Sequence, residues 1–175
     1  FQTTYTSIKL KDEILIDGDF LRLAGYYLAE GSISKNEVLI YFNKKEIDYI
    51  EDVKNLVKKI FTLETSIKEY GNIVRITIRS KLVRDLFLYL FGKNAPLKRI
   101  PHFMLFLPLY KQAELIKGIY RGDGCITPKH FEIVLTSETL VYGLRDVLLR
   151  FGIISGIMKA KKEVLNRVPG DIGGR

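Results

Sequence analysis

The sequence holds a single cysteine, Cys125, and two histidines, His102 and His130. One thiol excludes an intramolecular disulfide framework and a cysteine-based zinc cluster, and it fits a reducing interior. The two histidines are lone and paired with no serine or cysteine nucleophile. They read as structural or surface residues, which speaks against covalent catalysis. Long apolar runs are also missing. The most apolar stretch, Phe103 to Tyr110, is short and interrupted by Pro108, so it cannot span a bilayer. No secretory leader is visible, and the expected location is cytoplasmic. The chain begins at Phe1, and its natural start is expected to be missing or processed.

Acid is the minority charge. Twenty Asp and Glu stand against 28 Lys and Arg, a formal net charge of +8. That balance favours polyanionic partners, nucleic acid ahead of an anionic membrane, although charge alone also serves plain solubility. The 175 residues are one to two domains' worth of chain, and 47% hydrophobic content supports a real core and excludes a disordered tail.

The order of elements is legible from periodicity. An irregular lead-in carries a short strand at Ile14–Ile16, and Asp19 is the expected N-cap of a helix over Phe20–Glu30 that Gly31 ends. A hairpin follows, with Glu37–Asn43 as a strand. Glu46–Phe61 is helical, its apolar residues recurring at three and four. Thr62–Tyr70 and Ile73–Ser80 form a second hairpin around Gly71-Asn72, in which Ile76 and Ile78 alternate with Arg75, Thr77 and Arg79. Lys81–Phe91 is a further helix. The order then restarts: a helix over Tyr110–Gly122, a hairpin over Cys125–Thr136, a helix over Glu138–Phe151 and a strand within Gly152–Val164. The expected domains are residues 1–95, a linker at 96–109 holding Pro96, Pro101, Lys98 and Arg99, and residues 110–175. The second unit lacks the last strand and helix of the first, so truncation is expected and a sheet edge is left open.

Two segments repeat. Leu23–Gly31 reads LAGYYLAEG and Ile116–Gly124 reads IKGIYRGDG. Gly25 and Gly118 stand 93 residues apart, as do Glu30 and Asp123. Each acid lies in the last turn of a helix, where the partial negative charge of the C-terminus opposes it by a few tenths to about 1 kcal/mol. Two such acids at matching places point to function overriding local electrostatics. Gly25 and Ala29, like Gly118 and Gly122, are four apart and form a flat groove through which two helix backbones approach. Packed side by side, the two helices bring Glu30 and Asp123 together. Two carboxylates in one pocket repel unless a cation lies between them, and the hard choice for oxygen ligands is Mg²⁺. Two acids are too few for a closed cage, so waters and a substrate oxygen complete the set. A basic protein around such a site points to phosphodiester hydrolysis.

The paired segments resemble the double signature of the LAGLIDADG homing endonucleases, in a single-chain, archaeal-like form. The second keeps G-x-x-x-G-D-G, and the first has Glu for the usual final Asp. The resemblance implies an α+β fold of duplicated αββαββα halves about a pseudo-twofold axis, whose antiparallel sheets form a saddle on the DNA major groove. It implies staggered double-strand cleavage at long, asymmetric sites by a monomer, with Mg²⁺ as cofactor and Mn²⁺ able to substitute. By position Glu30 and Asp123 match the metal-binding acids, with Ala29 and Gly122 beside them. Asn43 and Ser137, each ending the strand after a motif helix, fall near the scissile phosphates, and Lys98 supplies positive charge. Lys117 and Arg121 depart from the small or apolar residues of the motif and are expected to point outward or to form salt bridges.

Side chains for DNA are expected on the sheet faces: Lys35, Tyr41, Lys44, Lys45, Lys68, Arg75, Thr77 and Arg79 in the first half, and Lys129, Thr136, Lys159, Lys161 and Lys162 in the second. For any one lysine a solvated surface is the blander reading. Two rivals stand beside the nuclease: a non-cleaving relative, such as an RNA maturase or a DNA-binding regulator, and a purely structural duplicated domain. The chain neither starts with a splicing nucleophile nor ends in His-Asn, which leans toward an intron-encoded or free-standing enzyme over an intein.

Overall fold

Asp17, not Asp19, starts the first helix. Its carboxylate accepts from the Phe20 amide at 2.9 Å, so α1 spans Gly18–Glu30 and Asp19 falls within its first turn. Asp19 is thereby released to pair with Arg22 and Lys59. The computed structural model describes residues 13–128 and 130–159. After α1 come β1 (Gly31–Ile33), β2 (Glu37–Asn43), α2 (Ile47–Phe61), β3 (Ser66–Tyr70), β4 (Ile73–Arg79) and α3 (Lys81–Phe91). Two short 3-10 turns, Ala95–Leu97 and His102–Phe106, lead to α4 (Leu109–Asp123), β5 (Gly124–Ile126), β6 (Phe131–Ile133) and α5 (Glu138–Arg150). No helix is long and apolar enough to cross a membrane among the described residues.

The first sheet is antiparallel throughout, in the order β1-β2-β4-β3. Strand alternation sends Val38, Ile40, Phe42, Val74, Ile76 and Ile78 to one face, all buried. The helices cover that face with aromatic rings: Phe87 meets Tyr27 at 5.1 Å and Phe91 at 5.3 Å, both edge-on. Burial of this face fixes the register, because a one-residue slip would expose every one of these side chains.

The duplication is visible at the level of single pairs. Gly31, Ser32 and Ile33 pair with Ile40, Leu39 and Val38; Gly124, Cys125 and Ile126 pair with Ile133, Glu132 and Phe131. Each residue of the second set stands 93 positions after its counterpart. The surroundings differ. Val38 is fully buried, whereas Phe131 is 77% exposed. Within the described residues nothing plays for β6 the part that α3 and β4 play for β2.

Several expectations need correction. Ile14–Ile16 forms no strand: no neighbouring strand reaches it, and the Ile16 carbonyl is taken by the Lys111 ammonium at 2.7 Å. β3 begins only at Ser66, because Thr62 closes α2 in a left-handed conformation. Residues 152–159 form no strand, and the rest of the strand expected to Val164 lies outside the described residues.

Candidate functional site

The two motif helices touch at their glycines. A Cβ on Gly25 would lie 2.5 Å from the Leu115 carbonyl and 2.8 Å from the Gly118 Cα, and one on Gly118 would lie 2.3 Å from the Arg22 carbonyl. Real Cβ atoms do not approach so closely, so only glycine allows this crossing. One turn on, a Cβ on Gly122 would meet the Ala29 Cβ at 2.4 Å and the Glu30 Cγ at 3.0 Å. The helices therefore stay in contact to their ends. Gly31 and Gly124 then turn the chain into a strand. Their φ of −88° and −84° is ordinary extended backbone, so a left-handed cap is not what requires glycine there. A Cβ would instead strike the ring of Tyr27 or Tyr120, at 2.2 and 2.3 Å.

Glu30 and Asp123 end their helices side by side at the junction of the two sheets. Burial pushes the Glu30 carboxyl up to about 7, and the neighbouring Asp123 and Glu46 add to the rise. Burial likewise raises Asp123, with Lys98 opposing. The sequence treated Lys98 as a linker lysine. The fold buries it to 3% exposure, with its ammonium donating to the Ala29 carbonyl at 2.8 Å and lying 5.5 Å from the centre of the Tyr27 ring. Burial pulls Lys98 down to about 8, against the pull of both carboxylates. Asp123, Lys98, Ala29 and Thr136 line an open cleft of about 220 Å³ together with Leu28 and Leu140.

Ser137 does not end a strand, because β6 stops at Ile133. It is the buried N-cap of α5, accepting from the Leu140 amide, and its hydroxyl donates to the Lys98 carbonyl at 2.6 Å. Its contact with the two acids is thus indirect, through Lys98. Asn43 is exposed at the end of β2, where its side chain accepts from the Lys45 amide at 3.0 Å and its own amide donates to Glu46 at 2.7 Å. That turn brings Glu46 toward Glu30, a third acid which the sequence did not single out. Nothing in its spacing marked it.

Lys117 and Arg121 form the salt bridges expected of them. Lys117 pairs with Glu114 at 3.5 Å. Arg121 reaches Asp52 at 2.9 Å and the Tyr26 hydroxyl at 2.7 Å. Asp52 also accepts from Arg22 and Tyr26, and Arg22 reaches Glu114 on α4 at 2.5 Å. This network clamps α4 onto α1 and α2, and sequence spacing gave no sign of it.

On the outer face of the first sheet, Tyr41, Arg75 and Lys68 lie in one cross-strand row. Lys35, Lys44 and Lys45 are exposed in turns. Thr77 is only 2% exposed, enclosed at the centre of its row, and Arg79 pairs with Glu37 at 3.1 Å. In the second half Thr136 borders the cleft, and Lys159 faces Glu138 at the start of α5 at 3.9 Å. Lys129, Lys161 and Lys162 lie outside the described residues. Among the described residues no group of three or more His, Cys, Asp and Glu forms a closed metal cage. An open two-carboxylate site fits a hard, largely hydrated divalent cation. Burial raises both carboxyls, and a bound cation would offset the cost of ionising them there.

Comparison with known proteins agrees with the fold. The profile of the LAGLIDADG-like domain matches residues 17–92 and 111–169. An uncharacterized protein of Methanocaldococcus jannaschii is 33% identical over 152 residues, covering 83% of this chain but 18% of that protein. The chain spans about a fifth of the length of such curated relatives. The homing endonuclease I-DmoI in complex with DNA and Mn superposes with a TM-score of 0.63 at 15% identity, over 86% of each chain. The N-terminal LAGLIDADG domain of WhiA superposes with a TM-score of 0.58 at 16% identity, over 84% of this chain and 73% of that one.

Proposed function

The chain belongs to the LAGLIDADG-like domain family, and from that premise we propose that it is a metal-dependent endonuclease that cuts both strands of a long, asymmetric DNA site to leave staggered ends. The observation that carries this reading is the juxtaposition of Glu30, Asp123 and Lys98. At 15 and 16% identity, the likeness to I-DmoI and WhiA supports the fold and not an activity. The half-buried acids favour cleavage, because burial raises both carboxyls, Asp123 raises Glu30 further, and an unliganded fold gains nothing from holding them there.

Glu30 and Asp123, with the backbone at Ala29 and Gly122 beside them, would hold a divalent cation of the Mg²⁺ type, for which Mn²⁺ would substitute. When bound, such a cation activates water and stabilises charge on the phosphate and the departing oxygen. The chain supplies the rest. The two carboxylates stand one on each side of the pseudo-twofold junction, so each serves one strand. The Lys98 ammonium, fixed by Ala29 and by the Ser137–Lys98 bond, places positive charge beside the attacked phosphate, where water exclusion strengthens it. Thr136 lines the cleft and Asn43 lies in the turn that carries Glu46, and both offer hydrogen bonds to the substrate backbone. The basic outer face of the sheet holds the duplex as a monomer, and affinity falls steeply with salt, by a log–log slope of roughly −0.9 per neutralised phosphate.

Incubation with a plasmid library of randomised inserts, with Mg²⁺ or with EDTA, tests the reading. Mg²⁺-dependent linear products whose ends share one sequence support it. A protein that binds duplexes but yields no cut ends in Mg²⁺ is instead the non-cleaving relative.

A further inference from the structure

Arg75 is one of the arginines that pair with no carboxylate among the described residues, and unlike Arg99 and Arg150 it is not bonded to a backbone carbonyl either. Arg22 and Arg121 spend their charge on Asp52, Arg79 pairs with Glu37 and Arg84 with Asp85. Arg75 sits at the middle of β4 with its neighbours Val74 and Ile76 in the core, so its own side chain rises from the outer face of the sheet. Its guanidinium lies 5.2 Å from the centre of the Tyr70 ring, and the Lys68 ammonium lies 5.1 Å from the same ring. Its Nε is buried without a hydrogen-bond partner. Among the described residues neither cation has a carboxylate within ion-pair distance.

Two like charges sharing one ring repel each other, and the ring offsets only part of that. The arrangement is stable against a surface of electronegative atoms. The two cations are also placed differently. Lys68 is exposed on the edge strand β3, where a flexible ammonium suits a phosphate. Arg75 is half-buried on an inner strand and held as a plane by the ring, with its outer fork unspent. A planar fork of two donors matches two adjacent acceptors. In the DNA major groove only guanine presents such a pair, O6 and N7.

We propose that Arg75 is a specificity-determining residue that reads one guanine in the major groove, with Tyr70 positioning its guanidinium and Lys68 gripping a neighbouring phosphate. This rests on the duplex-DNA reading above. It adds which residue selects which base.

The test is selection of binding sequences from randomised duplexes, with EDTA to prevent cleavage, followed by sequencing. The wild type is expected to enrich a consensus with one guanine preferred on the order of ten- to a hundredfold that depends on Arg75. Arg75→Ala, and also Arg75→Lys, which keeps the charge but not the fork, lose that preference and keep the remaining consensus. Tyr70→Ala weakens the same position and Tyr70→Phe restores it. Lys68→Ala lowers affinity for all sequences alike and reduces the salt slope by about one. An unchanged consensus in Arg75→Ala overturns the proposal, as does a loss spread evenly over all positions. A wild type that enriches no sequence overturns the duplex-DNA reading itself and this proposal with it, an outcome distinct from an Arg75 failure within an intact consensus.

Discussion

The Lys98 ammonium donates to the carbonyl of Ala29 at 2.8 Å, one residue before Glu30. A linker side chain is thus locked onto the tip of α1, and the carbonyl it takes is one that the helix end leaves without an intrahelical donor. Lys98→Met preserves most of the buried stem and removes the charge. Cleavage is expected to fall about 10²- to 10³-fold while duplex affinity changes little. Single-turnover cleavage and a binding isotherm on the same site check both halves of this statement.

The glycine crossing sets the distance between the two acids. Gly118→Ala places a Cβ 2.3 Å from the Arg22 carbonyl, which is backbone and cannot swing away. A loss of about 1–3 kcal/mol or more is expected, read as a lower thermal midpoint. Gly156→Ala, where nothing lies within 4 Å, is the control and is expected to stay within about 0.5 kcal/mol of the parent.

Repeated glycines are a local pattern that reports directly on backbone approach, so the α1–α4 contact and the meeting of Glu30 with Asp123 were legible in the sequence. The buried face of β4 was legible in the alternation of Ile76 and Ile78 with Arg75, Thr77 and Arg79. Other features depend on distant parts of the chain meeting, and spacing does not encode that. The burial of Lys98, the capping of α5 by Ser137 and the convergence of Arg22, Arg121 and Tyr26 on Asp52 are all of this kind. The exchange of Asp17 for Asp19 as the N-cap is a smaller case: two acids two residues apart compete, and the one with Arg22 and Lys59 in reach leaves the cap to the other.

Asp52 accepts from two arginines and a tyrosine, so its removal leaves like charges facing each other across the α1–α2–α4 junction. Asp52→Ala is expected to cost about 1–3 kcal/mol, less than a fully buried network would because the group keeps some solvent contact. Chemical denaturation measures it. Arg121→Met in the Asp52→Ala background should cost less than it does alone, since its partner is already gone.

The metal-free protein should show a pH signature. Glu30 holds its proton up to about pH 7, against 4.5 when unfolded, so the folded state binds the extra proton and stability falls as pH rises through that window. Lys98 releases its proton near 8 instead of 10.5, so stability recovers between those values. Thermal midpoints taken from pH 4 to 11 on the wild type and Glu30→Gln check this. The difference between the two curves should open between pH 4.5 and 7 in favour of the variant. At pH 8, Mg²⁺ should raise the wild-type midpoint and leave that of Glu30→Gln nearly unmoved.

The most direct measurement is double-strand cleavage of a selected site in Mg²⁺ by the wild type, Glu30→Gln and Asp123→Asn, each at saturating protein. The wild type is expected to linearise the substrate, and each variant to bind it with near-parental affinity yet lose linear product by about 10³-fold or more. Full cleavage by both variants contradicts the account.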